Sequence, residues 1–177
     1  VKLTIDPGAY VYCDGVIDMQ SGSVINNNGF IEIQQGVVGS LINNGGTITN
    51  SGEINNYSTD GSLTNNIDGT ITNLNLFNFA KGQITNYGVI DNQLNMYVGS
   101  LSGGSSSTFN NYGTIDNDGT IYNYGTISNN GTTFGNIPTQ NAVTGIPWGQ
   151  QPEPEPEPLS YDFGIVGNTD DDFSFSS

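Results

Sequence analysis

Asp116-Asn117-Asp118-Gly119 sets carboxylates, an amide and a glycine in a row, as a calcium-binding loop does. With Gly119 in the place of that loop's turn glycine, the bidentate Glu would fall at position 125, which is Gly125. The calcium reading therefore fails at the ligand it needs most. Asp116 and Asp118 are also the candidates for a carboxylate pair of the kind that cleaves sugars. Strand alternation turns Asp116 outward and leaves Asp118 at a corner, so the two would not face one scissile bond. The chain has no His and no Arg. This removes Ser-His-Asp and Cys-His nucleophile pairs and histidine metal sites, and with them the Arg common in sites that bind acidic sugars. No enzyme, metal or cofactor is expected.

Other reactive or recognisable groups are sparse. Cys13 is the only cysteine and reads as a buried thiol, with an intermolecular link as the alternative. Asn56-Tyr57-Ser58 and Asn130-Gly131-Thr132 fit the N-glycosylation acceptor pattern. Such triplets also arise by chance in a chain rich in Asn and Thr. Thr47-x-Thr49 and Thr70-x-Thr72 would project paired hydroxyls from one face, as flat ice-binding surfaces do, but Asp116, Tyr122 and Ser128 break the pattern in other copies. Tyr57, Tyr87, Tyr97, Tyr112, Tyr122 and Tyr124 offer rings on which sugars would stack. Asp170, Asp171 and Asp172 read as a solvated charge run.

What positions all of these is a short repeat. Asn111–Thr132, NYGTIDNDGTIYNYGTISNNGT, carries Gly-Thr-Ile-x-Asn-x starting at Gly113, Gly119 and Gly125, with a degraded copy at Gly131. Residues at i and i+2 share one face of a strand, so Ile115 and Asn117 point one way, Thr114 and Asp116 the other. The Gly is expected to mark a corner through a φ that other residues adopt only at a cost. Asn at the fifth position has two candidate places: an inward amide ladder or the left-handed corner conformation that Asn tolerates. A mixture is expected. Similar units recur from Gly22, and a longer period of about 17 to 23 residues runs over them. A fixed period of this kind predicts a solenoid. The expected fold is all-β, a β-solenoid of about six three-strand coils over residues 22–136. At ~4.8 Å per coil its length is on the order of 30 Å. Asn75–Lys81 and Leu101–Thr108 are expected to bulge as loops.

The flanks differ from the repeat. Residues 1–21, with a turn at Asp6-Pro7-Gly8, predict N-terminal strands that cap the column or form its first coil. Residues 137–158 form a Pro-rich spacer ending in Pro152-Glu153-Pro154-Glu155-Pro156-Glu157-Pro158, a composition that favours a stiff extended path. Residues 159–177 read as a C-terminal docking strand. Its candidate interface side chains are Leu159, Tyr161, Phe163, Ile165, Val166, Phe173 and Phe175.

The repeat Asn111–Thr132 resembles the Asn-Gly-Thr-Ile repeats of secreted β-solenoid surface proteins of bacteria and archaea, including adhesin and haemagglutinin-type passenger regions. The resemblance covers residues 22–136. It implies an extracellular β-solenoid with a structural or adhesive role, and it carries no catalytic residues. This chain departs from long adhesins in being short and in its Pro-Glu spacer and terminal strand.

Charge narrows the partners. With 17 acidic residues against 2 basic ones the net charge is −15. Nucleic acid is excluded as a partner, because little is available to neutralise phosphates. No apolar run is long enough for a transmembrane helix, so membrane insertion is not expected. The chain begins with Val and shows no signal peptide, as a processed, secreted chain would. The expected function is that of a structural subunit of an extracellular filament, fibre or sheath. Subunits would join end to end and by adding the C-terminal strand to a neighbour, so the main partner is the chain itself. The alternative is a cell-surface adhesin or carbohydrate-binding module with cell-surface glycans as partners.

Overall fold

A computed structural model of the chain describes residues 1–100, 107–141 and 143–150. Every regular element among them is a short β-strand, and each coil takes three. The first coil holds β1 (Lys2–Ile5), β2 (Tyr10–Tyr12) and β3 (Val16–Met19), and the second β4 (Val24–Asn27), β5 (Phe30–Ile33) and β6 (Ser40–Asn43). The third holds β7 (Thr47–Asn50), β8 (Glu53–Asn56) and β9 (Ser62–Asn65), and the fourth β10 (Thr70–Asn73), β11 (Leu76–Phe79) and β12 (Gly82–Asn86). The fifth holds β13 (Val89–Asn92), β14 (Asn95–Val98) and β15 (Ser107–Asn111), and the sixth β16 (Thr114–Asn117), β17 (Thr120–Asn123) and β18 (Thr126–Asn129). The last holds β19 (Thr132–Gly135), β20 (Thr139–Gln140) and β21 (Val143–Gly145).

First, second and third strands of successive coils pair into three parallel sheets, each seven strands deep. The molecule is thus a β-solenoid, as the repeat predicts, with residues 1–21 adding a first coil to the about six expected after them. Strand alternation fixes what faces inward. In the first sheet Leu3, Ile25, Ile48, Ile71, Ile90, Ile115 and Thr133 align in register. Ile48, Ile71 and Ile115 are fully buried. Val11, Ile31, Ile54, Phe77, Met96 and Ile121 hold the same place in the second sheet. A slip of one residue in any coil would turn its Ile to water and its Thr inward, so burial holds the register.

The second inward position carries the amides. In the first sheet Asn27 Nδ2 donates to Asn50 Oδ1 at 2.7 Å, Asn50 to Asn73 at 2.9 Å, Asn73 to Asn92 at 2.7 Å and Asn92 to Asn117 at 2.7 Å. In the third sheet the chain of donors is Asn43, Asn65, Asn86, Asn111 and Asn129, with links of 2.8 to 2.9 Å. The second amide hydrogen reaches a backbone carbonyl of the next coil, such as Glu53 O or Leu76 O. Some amide oxygens also take a backbone N–H two or three residues on, as Asn27 does from Gly29 and Asn43 from Gly46. Every bond in both ladders runs toward the C-terminal end, so the amide dipoles add and each bond polarises the next. Both ladders finish on main-chain carbonyls, Asn136 O and Ile146 O. The second sheet has no ladder, because Ile33, Phe79 and Val98 hold three of its equivalent positions.

The mixture expected for Asn is not found. No Asn among the described residues has positive φ; Asp68 and Gln140 are the non-glycine residues that do. The reason expected for the repeat glycines is also corrected. Gly113, Gly119 and Gly125 have no positive φ. They are glycine because coils meet there: a Cβ on Gly119 would lie 2.1 Å from the Leu94 carbonyl oxygen, and one on Gly113 2.2 Å from that of Gly88.

Two expected features fall differently in the structure. Asn75–Lys81 does not bulge as a loop. Leu76–Phe79 is β11, and Phe77 and Phe79 fill the core with their rings 5.2 Å apart. Of Leu101–Thr108, Ser107 and Thr108 begin β15, and the rest lies outside the described residues. At the flanks, residues 1–21 supply the first coil, with the turn closed by Ala9 N to Asp6 O at 3.0 Å. The column also runs past residue 136, since β20 and β21 fall within the stretch read as spacer.

Candidate functional site

The two ends of the column are the places where this fold leaves its bonding unfinished. A parallel sheet satisfies each strand from both sides, except the first and last. Here β1, β2 and β3 are outermost at the N-terminal end, and β19, β20 and β21 at the other.

At the N-terminal end the core is uncovered. Leu3, Val11 and Ile17 point inward like Ile25, Ile31 and Leu41 beside them. Ile25, Ile31 and Leu41 are 3%, 1% and 1% exposed, whereas Leu3 is 40% exposed and Val11 and Ile17 are half-buried. A cavity of about 260 Å³ opens here, lined mainly by Val1, Leu3, Ile17, Met19, Val24 and Ile25. Lys2, one of the two cations in the chain, stands exposed on β1.

The C-terminal end is lidded. After β21 the chain turns back over the last coil, where Trp148 packs against the core. Its Nε1 donates to Phe134 O at 3.2 Å, and Gly149 N donates to Thr133 Oγ1 at 2.9 Å. Thr133 occupies the inward place that Ile holds in the preceding five coils and is fully buried under this segment. The lid was missed in the sequence. Its one signal was the placement of the sole Trp just past the last repeat.

The candidate interface residues Leu159, Tyr161, Phe163, Ile165, Val166, Phe173 and Phe175 lie outside the described residues, as do Asp170 to Asp172. Of the two acceptor triplets, only Asn130 is exposed. Asn56 is 0% exposed, its Nδ2 donates to Lys81 O and its Oδ1 accepts from Ser58 N, so the folded chain has no room for a glycan there. Cys13 is buried beside the Gly15 and Ser40 carbonyls at 3.3 Å, out of reach of another chain's thiol.

The lateral faces carry the remaining candidates apart from one another. Asp116 lies exposed beside Asp91 in register, and Asp118 at the next corner is also exposed. Thr47 pairs with Thr70 and Thr49 with Thr72, a patch that Asp91 and Asp116 end. The tyrosines stack on one another: Tyr97 on Tyr122 at 4.7 Å, Tyr87 on Tyr112 at 5.1 Å. Each pair covers one face of each of its rings, and Tyr87 and Tyr112 stay 45% and 49% exposed.

Tyr57 gives a pH prediction. Burial chiefly, then the carboxylates of Glu32 and Glu53, push its phenol above the usual value of about 10, against a hydrogen bond with Asn78. The unfolded chain therefore releases this proton first. Stability is full below pH 10 and falls as pH rises through and beyond it. Denaturation midpoints measured from pH 9 to 11.5 should fall less steeply in Tyr57→Phe than in the parent chain.

Fold and ends together define a β-solenoid with amide ladders, one uncovered end and one lidded end. Comparison with protein-family models, curated proteins and solved structures finds no match to the chain. Among the described residues no helix is long and apolar enough to cross a membrane.

Proposed function

We propose that the chain is a structural subunit of an extracellular filament, fibre or sheath, assembled from copies of itself. The observation that carries this reading is the uncovered N-terminal end, where β1, β2 and β3 are the outermost strands of three seven-stranded parallel sheets and Leu3 is 40% exposed. Natural proteins blunt such edges, and a head-to-tail contact that does not close propagates. The lateral faces support a structural role too. Tyr87 stacks on Tyr112 and Tyr97 on Tyr122 along the column, and Asp91 and Asp116 lie in register rather than converging on one site.

In this reading, subunits stack along the solenoid axis and the C-terminal strand reaches a neighbour. The net charge of −15 keeps assembled surfaces apart from one another and in solution. The repeat's likeness to secreted surface proteins supports an extracellular setting.

Electron microscopy and sedimentation of the purified chain test this. Residues 1–177 are expected to form filaments, and the same chain without residues 152–177 a soluble monomer. Unchanged filaments after that deletion would remove the tail from the mechanism. A parent chain that stays monomeric at high concentration would remove the proposal.

A further inference from the structure

We infer that the uncovered N-terminal end is an acceptor site for residues 159–167 of a second copy of the chain. This rests on the filament reading and names the junction within it.

Two features of the ends oppose a plain continuation of one column by the next. The lid formed by Trp148 and Gly149 lies over Thr133, between the last coil and anything stacked upon it. The N-terminal end instead offers a concave apolar surface: Leu3 and Ile17 line a cavity of about 260 Å³ beside β1 and β3, the outermost strands of their sheets. What fits is a short apolar strand, which adds backbone bonds to the edge and places alternate side chains in the cavity. The sequence LSYDFGIVG at residues 159–167 has that pattern, with Leu159, Tyr161, Phe163 and Ile165 on one face.

Reach decides whose tail it is. Seven strands per sheet put the two ends about 29 Å apart at ~4.8 Å per strand. The spacer 151–158 starts at the lidded end and covers at most about 29 Å at ~3.6 Å per residue, whereas a strand added to the N-terminal edge lies one step further out, at about 34 Å. It falls short of its own N-terminal end, even before allowing for the path around the column. The N-terminal end of a copy set above the lid lies within reach.

Two variants and one peptide test it, with far-UV circular dichroism confirming the fold of each. Leu3→Asp spoils the acceptor at an already exposed position, and Phe163→Asp spoils the donor. Each alone is expected to remain monomeric. Mixed, they share one intact junction and should give a 1:1 heterodimer by sedimentation velocity. Separately, a synthetic peptide of residues 159–167 should bind the full-length Phe163→Asp chain at 1:1, and at least 10-fold more weakly when Leu3→Asp is added. A folded Leu3→Asp chain that polymerises like the parent, or a peptide that does not bind, overturns the acceptor site and leaves the filament reading standing. A parent chain that stays monomeric while its Phe163→Asp form binds the peptide overturns the second-copy donor and the filament reading together, and puts the chain's own tail in the cavity.

Discussion

An Asn73→Ala chain is expected to unfold with a stability lower by roughly 3–5 kcal/mol, read from the midpoint of urea denaturation. Asn73 stands in the middle of the first ladder. It accepts from Asn50 at 2.9 Å and donates to Asn92 at 2.7 Å and to Asn95 O at 3.0 Å. The methyl group that replaces the amide offers none of these bonds. Asn50 Nδ2 keeps its bond to Leu76 O, but Asn92 Oδ1 loses its Asn73 donor where Asn92 is fully buried, and the half-buried Asn95 O loses one too. Each buried polar group left in that state costs about 1–3 kcal/mol, well above the net worth of the bond itself. Asn130→Ala, at an exposed corner, should change stability by less than about 0.5 kcal/mol. Equal effects at the two sites would mean that the ladder adds nothing beyond side-chain volume.

Gly119→Ala is the second large effect, expected at about 3 kcal/mol or more. The added Cβ would meet the Leu94 oxygen at 2.1 Å, the Leu94 nitrogen at 2.6 Å and the Gln93 carbonyl carbon at 2.8 Å. All three are backbone atoms, so no side chain can swing aside. Relief requires coils to part where Gly119 N bonds Asn92 O at 2.9 Å and Thr120 N bonds Leu94 O at 2.7 Å. Gly15→Ala is the control, because its Cβ would meet nothing within 4 Å and its φ is ordinary. A near-neutral Gly119→Ala would show that the coils do not approach as closely as the structure places them.

These two residue types explain what could be seen in advance. The Gly-Thr-Ile-x-Asn spacing led to the solenoid, the three strands per coil and the inward Ile, because strand alternation acts locally. The role of Gly could not be separated by the same means. A glycine needed for φ and one needed for clearance look alike in sequence, and only the stacked neighbour tells them apart. Leu76-Phe77-Asn78-Phe79 was hidden because Phe replaced both the Ile and the Asn of the repeat, although its alternation was intact. The last coil was hidden for the opposite reason: Thr139–Gln140 and Val143–Gly145 pair by register with β17 and β18 and carry almost none of the repeat.

The ends were legible only in part. Residues 1–21 were readable as strands that cap the column or form its first coil, since they alternate without carrying the full repeat. The exposure of Leu3 and Ile17 depends on what lies next to them in space, and so does the burial of Thr133 beneath Trp148. Composition carries neither.

Fibre diffraction from aligned, assembled chain is the most direct test of a column that propagates along its own axis. The account predicts a meridional reflection at ~4.8 Å, from strands perpendicular to the fibre, with a subunit repeat longer than the about 34 Å of seven coils, because the lid and the added strand lie between successive columns. A 4.8 Å reflection on the equator, or ordered material without one, would contradict it.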